Sequence, residues 1–273
     1  MMDVTVIIKG AGDLASGTAH RMFRCGFKVI MLETSKPTVI RRTVSFAEAV
    51  YQGQATVEGV SAVLAEHPQE ISKILASGRI PVVVDPGWSC VKSFKPGVVV
   101  DAIIAKKNLG TGINESPVVI GLGPGFTAGI DVHAVVETKR GHNLGRVILS
   151  GSAAPDTGIP GNIAGYSSER LLRSPARGVF NALKEIGDYV NKGDTVANVD
   201  GVPVYTAVSG VLRGILKNGL CVSEGMKVGD IDPRGIRESC FTISDKSRSV
   251  AGGVLEAAMY LLNLNCRDAG SMK

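Results

Sequence analysis

The first 33 residues constrain the fold more than any other part of the chain. They read as a strand (4–9), a glycine-rich turn (10–17) that opens a helix, and a second strand (29–33) that ends in an acid. Gly10 permits the tight turn, Gly12 lets an anion approach the main chain, and the helix start offers free N–H groups and a positive dipole end. Glu33 follows about 20 residues later, where an acid binds a ribose 2′-hydroxyl.

This order of elements predicts a Rossmann-like segment that binds a ligand at its first turn. Ala15 stands where the third glycine of the dinucleotide pattern would be, a replacement that the pattern tolerates. Asp13 follows Gly12 directly, and its carboxylate would repel a phosphate there. Either Asp13 caps the helix outside the ligand site, or the pocket binds something other than a pyrophosphate. The predicted binding residues of this segment are Gly10, Gly12, Asp13, Leu14, Ala15, Ser16 and Glu33.

Further strand-like runs follow, at 81–85, 98–101 and 117–121. Each is rich in β-branched residues and ends at a glycine or an acid, as a parallel sheet covered on both faces requires. Asp85 and Asp101 therefore fall at the carboxyl ends of strands, on the side where such sheets bind ligands. Acids at these positions also simply cap loops.

The second half contains an internal repeat: residues 178–200 match 210–232 at one constant offset in their glycines and valines. Each copy is too short to bury its own apolar face, so the two copies should pack together. The pattern resembles the barrel-sandwich hybrid domains of biotinyl and lipoyl carriers. The carrier lysine is missing, since the expected hairpin tip has Asp200 and Gly201. We therefore expect a packing or docking domain without biotin or lipoate.

The predicted fold class is α/β: a Rossmann-like, mostly parallel sheet with an inserted or following all-β barrel-sandwich hybrid domain. The Rossmann-like domain spans 1–160 and the barrel-sandwich hybrid 175–240. The segment 241–273 contributes a C-terminal helix, whose apolar face we expect to pack back on the Rossmann-like domain.

Two further segments supply candidate anion contacts. The glycine-rich loop 121–129 would place Gly123, Gly125 and Thr127 in a nest of backbone N–H groups, although the same loop reads equally well as a wide turn at the sheet edge. The stretch 137–146 is dense in donors, and Arg140 and His142 are its predicted cofactor contacts.

The stretch 130–138 alternates polar and apolar residues like a half-buried strand. Asp131, His133 and Glu137 would project from one face as pocket residues or metal ligands, and a plain solvated face would look the same. No triad or carboxylate pair for acid–base chemistry is evident, so the catalytic residues stay unknown and no metal is assigned. Cys90 follows a loop and reads as a small buried residue more readily than as a nucleophile.

The composition of the chain argues against several classes of function. The net charge of +5 is mild and the basic residues are scattered, which speaks against nucleic-acid binding. No apolar run approaches ~18 residues, so no membrane span is expected, and the start lacks the pattern of a signal peptide. Five widely spaced cysteines without a CxxC pair are typical of a reducing, cytoplasmic location.

Three segments, 9–17, 41–50 and 137–146, resemble the YqeB family, and the resemblance extends over nearly the whole chain. It implies a presumed maturation protein of selenium-dependent molybdenum hydroxylase systems. The first domain is also similar to the Rossmann domain of XdhC-type accessory proteins, which assist insertion of molybdenum cofactor.

The expected function is therefore an accessory factor for a molybdenum hydroxylase, with that enzyme or other maturation proteins as partners. It would bind a small phosphate-bearing ligand, either NAD(P) or molybdenum cofactor, and a homo-oligomer is left open. The alternative is an NAD(P)-dependent oxidoreductase with His133 or His142 as proton donor. Glu33 favours NAD in that case, unless Arg41 or Arg42 folds back to accept NADP. A scaffold with an empty site is the third possibility.

Overall fold

The computed structural model describes the backbone of residues 4–271 and the side chains of residues 4–266. The chain divides into two units. Of the described residues, the first unit comprises 4–35, 46–156 and 243–271, and the second comprises 36–45 and 157–242. The segment 36–45, expected in the first domain, therefore lies with the second unit.

The first unit is a sheet flanked by helices. Its strands are β1 (Thr5–Lys9), β2 (Lys28–Glu33), β3 (Gln54–Val57), β4 (Val60–Ala65), β5 (Ile80–Val84), β6 (Val98–Asp101), β7 (Val118–Leu122), β8 (Thr127–Ala128), β9 (Ala134–Val136), β10 (Val147–Ile148) and β11 (Gly151–Ser152). Its helices are α1 (Asp13–Arg24), α2 (Ala49–Gln52), α3 (Pro68–Ala76), α4 (Ser89–Phe94) and α5 (Asp245–Ser271).

Nine strands form one mixed sheet in the order β10-β9-β7-β6-β1-β2-β5-β4-β3. The seven inner strands run parallel, whereas β3 and β10 are antiparallel to their neighbours at the two edges. Strand β1 lies between β2 and β6, so the chain winds first to one side of β1 and then to the other. The carboxyl ends of β1 and β6 therefore flank the switch point where open α/β sheets bind ligands.

The central strands β6 and β7 are buried along their whole length, because their residues are apolar on both faces apart from Asp101 at the end of β6. One face packs against α3, α4 and the turn after β7. On α1, small residues let α5 approach closely: a Cβ added at Gly17 would collide with the Ser247 side chain. The two helices therefore lie side by side, with their amino ends adjacent.

The second unit is all β. Its strands are β12 (Leu171–Arg173), β13 (Gly178–Ala182), β14 (Tyr189–Val190), β15 (Thr195–Val199), β16 (Val202–Tyr205), β17 (Gly210–Ile215), β18 (Cys221–Val222) and β19 (Lys227–Asp232). They form two four-stranded sheets, ordered β12-β19-β17-β14 and β16-β15-β13-β18. The core between them contains Phe180, Val196, Leu212 and Val228, all without solvent exposure.

The internal repeat is visible as reciprocal pairing between its two copies. The short strand of each copy pairs with the long strand of the other, β18 with β13 and β14 with β17. The amide of Gly187 donates to the carbonyl of Leu212, and the amide of Gly219 donates to the carbonyl of Phe180, both at 2.9 Å. These two bonds join equivalent positions, so neither copy completes its hydrogen bonds without the other.

The predicted fold class needs correction. The large sheet is mixed, with an antiparallel strand at each edge, and it is not the XdhC-type Rossmann arrangement that the resemblance implied. The β unit consists of two separate four-stranded sheets, not a closed barrel-sandwich, and one of them includes β12, which lies outside the repeat. The hairpin tip is as expected locally: Asp200 and Gly201 have φ of 46° and 87°, as a two-residue type I′ turn requires.

Candidate functional site

The candidate site lies in the first unit, at the carboxyl edge of the nine-stranded sheet. The turn after β1 packs directly on the segment after β6: a Cβ at Gly10 would lie 3.1 Å from the Ala102 carbonyl oxygen. Gly10 also has φ of 91°, and its amide donates to the Leu32 carbonyl at 2.7 Å. Only glycine fits this conformation and this spacing.

Glu33 closes the same turn from the neighbouring strand. One carboxylate oxygen accepts the Ala11 amide at 2.9 Å, and the other accepts the Thr34 amide at 2.8 Å. Both oxygens are therefore used within the chain. Glu33 therefore attaches the first turn to the sheet, and this role does not require a bound ribose.

The start of α1 is largely packed into the protein. Leu14, Ala15 and Ser16 are buried, and the Ser16 hydroxyl donates to the Ala11 carbonyl and accepts the Phe46 amide. Among the seven residues predicted for this turn, the partly exposed ones are Gly10, Gly12, Asp13 and Glu33. The Asp13 carboxylate accepts the Leu14 amide at 3.0 Å, so it lies at the helix start and occupies one of its donors.

Two helix amino ends meet at this edge. The Ser247 hydroxyl, in the first turn of α5, donates to the Asp13 carbonyl of α1 at 3.1 Å. Arg140, from the loop after β9, forms a two-pronged ion pair with Asp245 at 2.7 and 3.0 Å. The positive ends of both helix dipoles therefore face the same small region.

Lys246 lies within this group of charges. Burial lowers the pKa of its ammonium, and Arg140 and Lys106 lower that pKa further, while Asp13 and Glu137 oppose the shift. Its amine makes no hydrogen bond or ion pair with another part of the chain that the structure describes. Lys246 is thus a half-buried cation whose hydrogen-bonding capacity is unused, next to two further cations.

The second glycine loop is built for close packing. A Cβ at Gly123 would collide with the Thr138 side chain, and a Cβ at Gly125 would lie 2.6–2.8 Å from the Lys107 backbone. The Gly123 amide donates to the Val136 carbonyl at 2.9 Å. The Thr127 amide donates to Asp131 at 2.8 Å. Two of the amides expected in an anion nest are therefore already bonded within the chain.

The predicted polar face of 130–138 is not formed. Strand β9 is only Ala134–Val136 and is fully buried. Asp131 caps the turn before it, and Glu137 accepts the Lys139 and Ala154 amides after it, both at 2.8 Å. His133 bonds to β7 through its ring. No cluster of three or more His, Cys, Asp or Glu suited to a metal occurs between residues 4 and 266. His142 is exposed in the loop after β9.

A buried ionic network beneath the first turn was not predicted from the sequence. Lys9, the last residue of β1, is fully buried and donates to the Thr111 hydroxyl at 2.8 Å and to Glu115 at 2.9 Å. Its ammonium also lies 3.9 Å from the ring centre of Trp88, a cation–π contact. The Thr111 hydroxyl donates in turn to Asp101 at 2.7 Å.

Asp101 is the acidic end of this network. Burial raises the pKa of its carboxyl above the ordinary value, although Thr111, the Ile103 amide and the Lys9 charge all pull it down. The loop that the network anchors contains Ile104 and Lys106, both with φ of 60°. Such left-handed, non-glycine residues carry strain that concentrates at functional sites.

The other predicted acid, Asp85, caps α4: its carboxylate accepts the Ser89 hydroxyl at 3.1 Å and the Cys90 amide at 2.8 Å. Burial, with the Asp85 charge added, raises the pKa of the Cys90 thiol to about 12. A thiol with that pKa is not a nucleophile at neutral pH.

The five thiols are expected to react in two phases. Cys25, Cys221 and Cys266 are exposed, whereas Cys90 and Cys240 are buried. Titration of the folded protein with a chromogenic disulfide reagent should modify the three exposed thiols quickly, and the buried pair only after denaturant is added. Peptide mapping that finds Cys90 labelled in the first phase would contradict an inert, structural role for this thiol.

A comparison with curated proteins finds one relative of this chain. It is 53% identical over 258 residues to the "Uncharacterized protein YqeB" of Escherichia coli (strain K12). The chain is a relative of YqeB. The match covers 94% of this chain and 48% of YqeB, so the chain spans about half the length of that relative. No protein-family model matches the chain.

Solved structures match over 84% of the chain at low identity. They include an aspartoacylase family protein from Mesorhizobium loti (11% identity, TM-score 0.26), the ectoine utilization protein EutE from Ruegeria pomeroyi (12%, 0.26) and a succinylglutamate desuccinylase from Silicibacter sp. (12%, 0.25). The matches cover 84–85% of those chains. At such low similarity we take no activity from these proteins.

These comparisons correct the functional predictions. The similar solved structures are proteins of the aspartoacylase and desuccinylase kind, not molybdenum hydroxylase maturation factors, XdhC-type proteins or NAD(P) oxidoreductases. No comparison supports the expected roles in molybdenum hydroxylase maturation and in hydride transfer, and both are withdrawn. The resemblance to YqeB is the part of the family prediction that the comparisons support. Between residues 4 and 271, no helix combines the length and the apolar character needed to cross a bilayer.

Proposed function

We propose that the carboxyl edge of the nine-stranded sheet binds a small molecule that carries an oxyanion group, a phosphate or a carboxylate. The observation that carries this proposal is Lys246, a half-buried ammonium with no internal hydrogen-bond partner among the described residues, at a point where two helices begin. Cations with unused donors at helix amino ends are the usual setting for anion binding in proteins.

The surrounding charges favour one oxyanion and oppose a larger cluster of negative charge. Arg140 and Lys106 add positive charge near Lys246, but each already holds an acid, Asp245 and Asp156 respectively. Asp13 places a carboxylate at the start of α1. The ligand would therefore present one anionic group to Lys246 and keep the rest of its surface outside this charged region.

Titration calorimetry of the whole chain with inorganic phosphate and with acetate, at low ionic strength, tests the proposal. The Lys246→Gln variant should weaken binding of the preferred probe about tenfold, because one charge-assisted hydrogen bond is lost. Lys73→Gln, on the exposed side of α3, is the matched control and should leave the affinity unchanged. If neither probe binds, or both lysine variants behave alike, the proposal fails.

The Asp13→Asn variant provides an independent result in the opposite direction. Removing a carboxylate from the helix start should raise anion affinity about two- to fivefold at low salt, since a charge there is worth about 0.3–1 kcal/mol. Raising the ionic strength should reduce the gain, because exposed charges are screened. Unchanged affinity in Asp13→Asn would place the anion elsewhere.

A further inference from the structure

A separate groove lies in the first unit, away from the carboxyl edge. It has a volume of about 560 Å³ and is bounded by α4, the turn 113–115 and the starts of β6 and β7. Its walls include the apolar side chains of Val91 and Ile113 and the polar side chains of Lys92, Lys95, Glu115 and His133. A cavity of this size holds a small organic molecule.

The groove is positively charged. Glu115 is the acidic residue in its wall, and that carboxylate is already bonded to Lys9 at 2.6 and 2.9 Å and to the Gly112 amide at 3.1 Å. Lys92 and Lys95 form no ion pair within the part of the chain that the structure describes. The lysine charges in the wall are therefore uncompensated.

His133 adds one donor of fixed position. Its Nδ1 accepts the Val119 amide at 3.0 Å, so the ring proton resides on Nε2. Burial lowers the pKa of this histidine, which keeps the ring neutral at neutral pH. The groove wall therefore has an imidazole that can only donate, through Nε2–H, without giving up its bond to β7.

Lys95 carries backbone strain. It has φ of 44° at the end of α4, in the left-handed region where glycine is the usual residue. A lysine in that conformation costs about 1 kcal/mol or more. Glycine would satisfy the backbone better, so the strain favours a role for the side chain.

We propose that this groove binds a small carboxylic acid, with the carboxylate between the Lys92 and Lys95 ammonium groups and the His133 Nε2–H, and with its aliphatic part against Val91 and Ile113. The site is distinct from the oxyanion site at the carboxyl edge and does not depend on it. The chemistry of the groove wall indicates this class of ligand. Its positive charge and its one fixed donor match a carboxylate, and its apolar surface matches a short aliphatic chain.

The test compares propionate with propionamide, which has nearly the same shape without the charge. NMR titration of the whole chain should show propionate shifting the His133 ring and Lys95 backbone signals, with at least fivefold weaker binding of propionamide. Equal binding of the two compounds, or no shift at these residues up to the solubility limit of propionate, would overturn the proposal.

Three variants separate this site from a simple effect on folding. Lys95→Gly removes the charge and the strain together, so thermal stability should hold or rise while propionate affinity falls at least fivefold. His133→Asn keeps an acceptor for the Val119 amide and removes the Nε2–H donor, so affinity should fall with the fold intact. Lys73→Gln, on the exposed side of α3, should leave propionate binding in this groove unchanged. If Lys95→Gly binds like the parent protein, the groove is not the site.

Discussion

Replacing Lys9 with methionine is expected to lower the free energy of unfolding by about 3–5 kcal/mol, the usual cost of removing one partner from a buried ion pair. Methionine fills a similar volume and keeps contact with Trp88. It cannot donate to Glu115 or Thr111, which lie 2.9 and 2.8 Å from the Lys9 amine. The Glu115 carboxylate then loses its counter-charge, and Asp101 loses the cation that stabilises its ionised form.

Denaturant unfolding of Lys9→Met, with the fluorescence of Trp88 as the signal, measures this loss. Trp88 is the single tryptophan of the chain and lies against Lys9. The double variant Lys9→Met with Glu115→Gln should recover part of the stability, because it removes the uncompensated charge. Lys73→Met is the surface control and should change stability by less than about 0.5 kcal/mol. A similarly small effect in Lys9→Met would mean that the network contributes little.

Elements with local signals were predictable from the sequence. The turn at Gly10, the helix after it and the strands β5, β6 and β7 lie within a residue or two of where apolar runs and glycines placed them. The repeat was also readable, because its glycines recur at fixed positions where the chain must turn. Local signals of this kind do not depend on what packs against them.

The mixed character of the sheet was missed although a signal existed. Glu58 and Gly59, with φ of 43° and 82°, form a two-residue turn between β3 and β4. An acid followed by glycine between two β-branched runs is a hairpin pattern. Recognising it would have predicted the antiparallel pair β3–β4 at one edge of the mostly parallel sheet.

The chemistry of the candidate site was harder to predict, because it depends on residues far apart in the chain. From the sequence, Lys9 is a charged residue at the end of a strand. It is buried because Thr111 and Glu115, about 100 residues later, pack against it and accept its hydrogen bonds. Lys246 gains its surroundings from Asp13 and Glu137, each more than 100 residues away. Side-chain partners at that separation follow from the topology of the sheet, which spacing in the sequence does not reveal.

Replacing Phe180 with alanine is expected to lower the stability of the second unit by about 3–5 kcal/mol. Phe180 is fully buried between the two sheets, and its backbone carries one of the reciprocal bonds between the repeats. A cavity at this position removes packing from both copies at once. The neighbouring Val179 is 44% exposed, so Val179→Ala is the matched control and should cost well under 1 kcal/mol.

The repeat makes this prediction sharper, because position 212 is the equivalent of 180 and holds leucine. Phe180→Leu should therefore be tolerated at a cost of about 1–1.5 kcal/mol, while Leu212→Ala should cost about 2–5 kcal/mol like other buried leucines. Hydrogen exchange at the Gly187 and Gly219 amides reports on the second unit alone, since these amides bridge the two copies. Phe180→Ala should speed exchange at both amides together. Faster exchange at Gly219 alone would show that the copies open separately and that their pairing is not a single cooperative core.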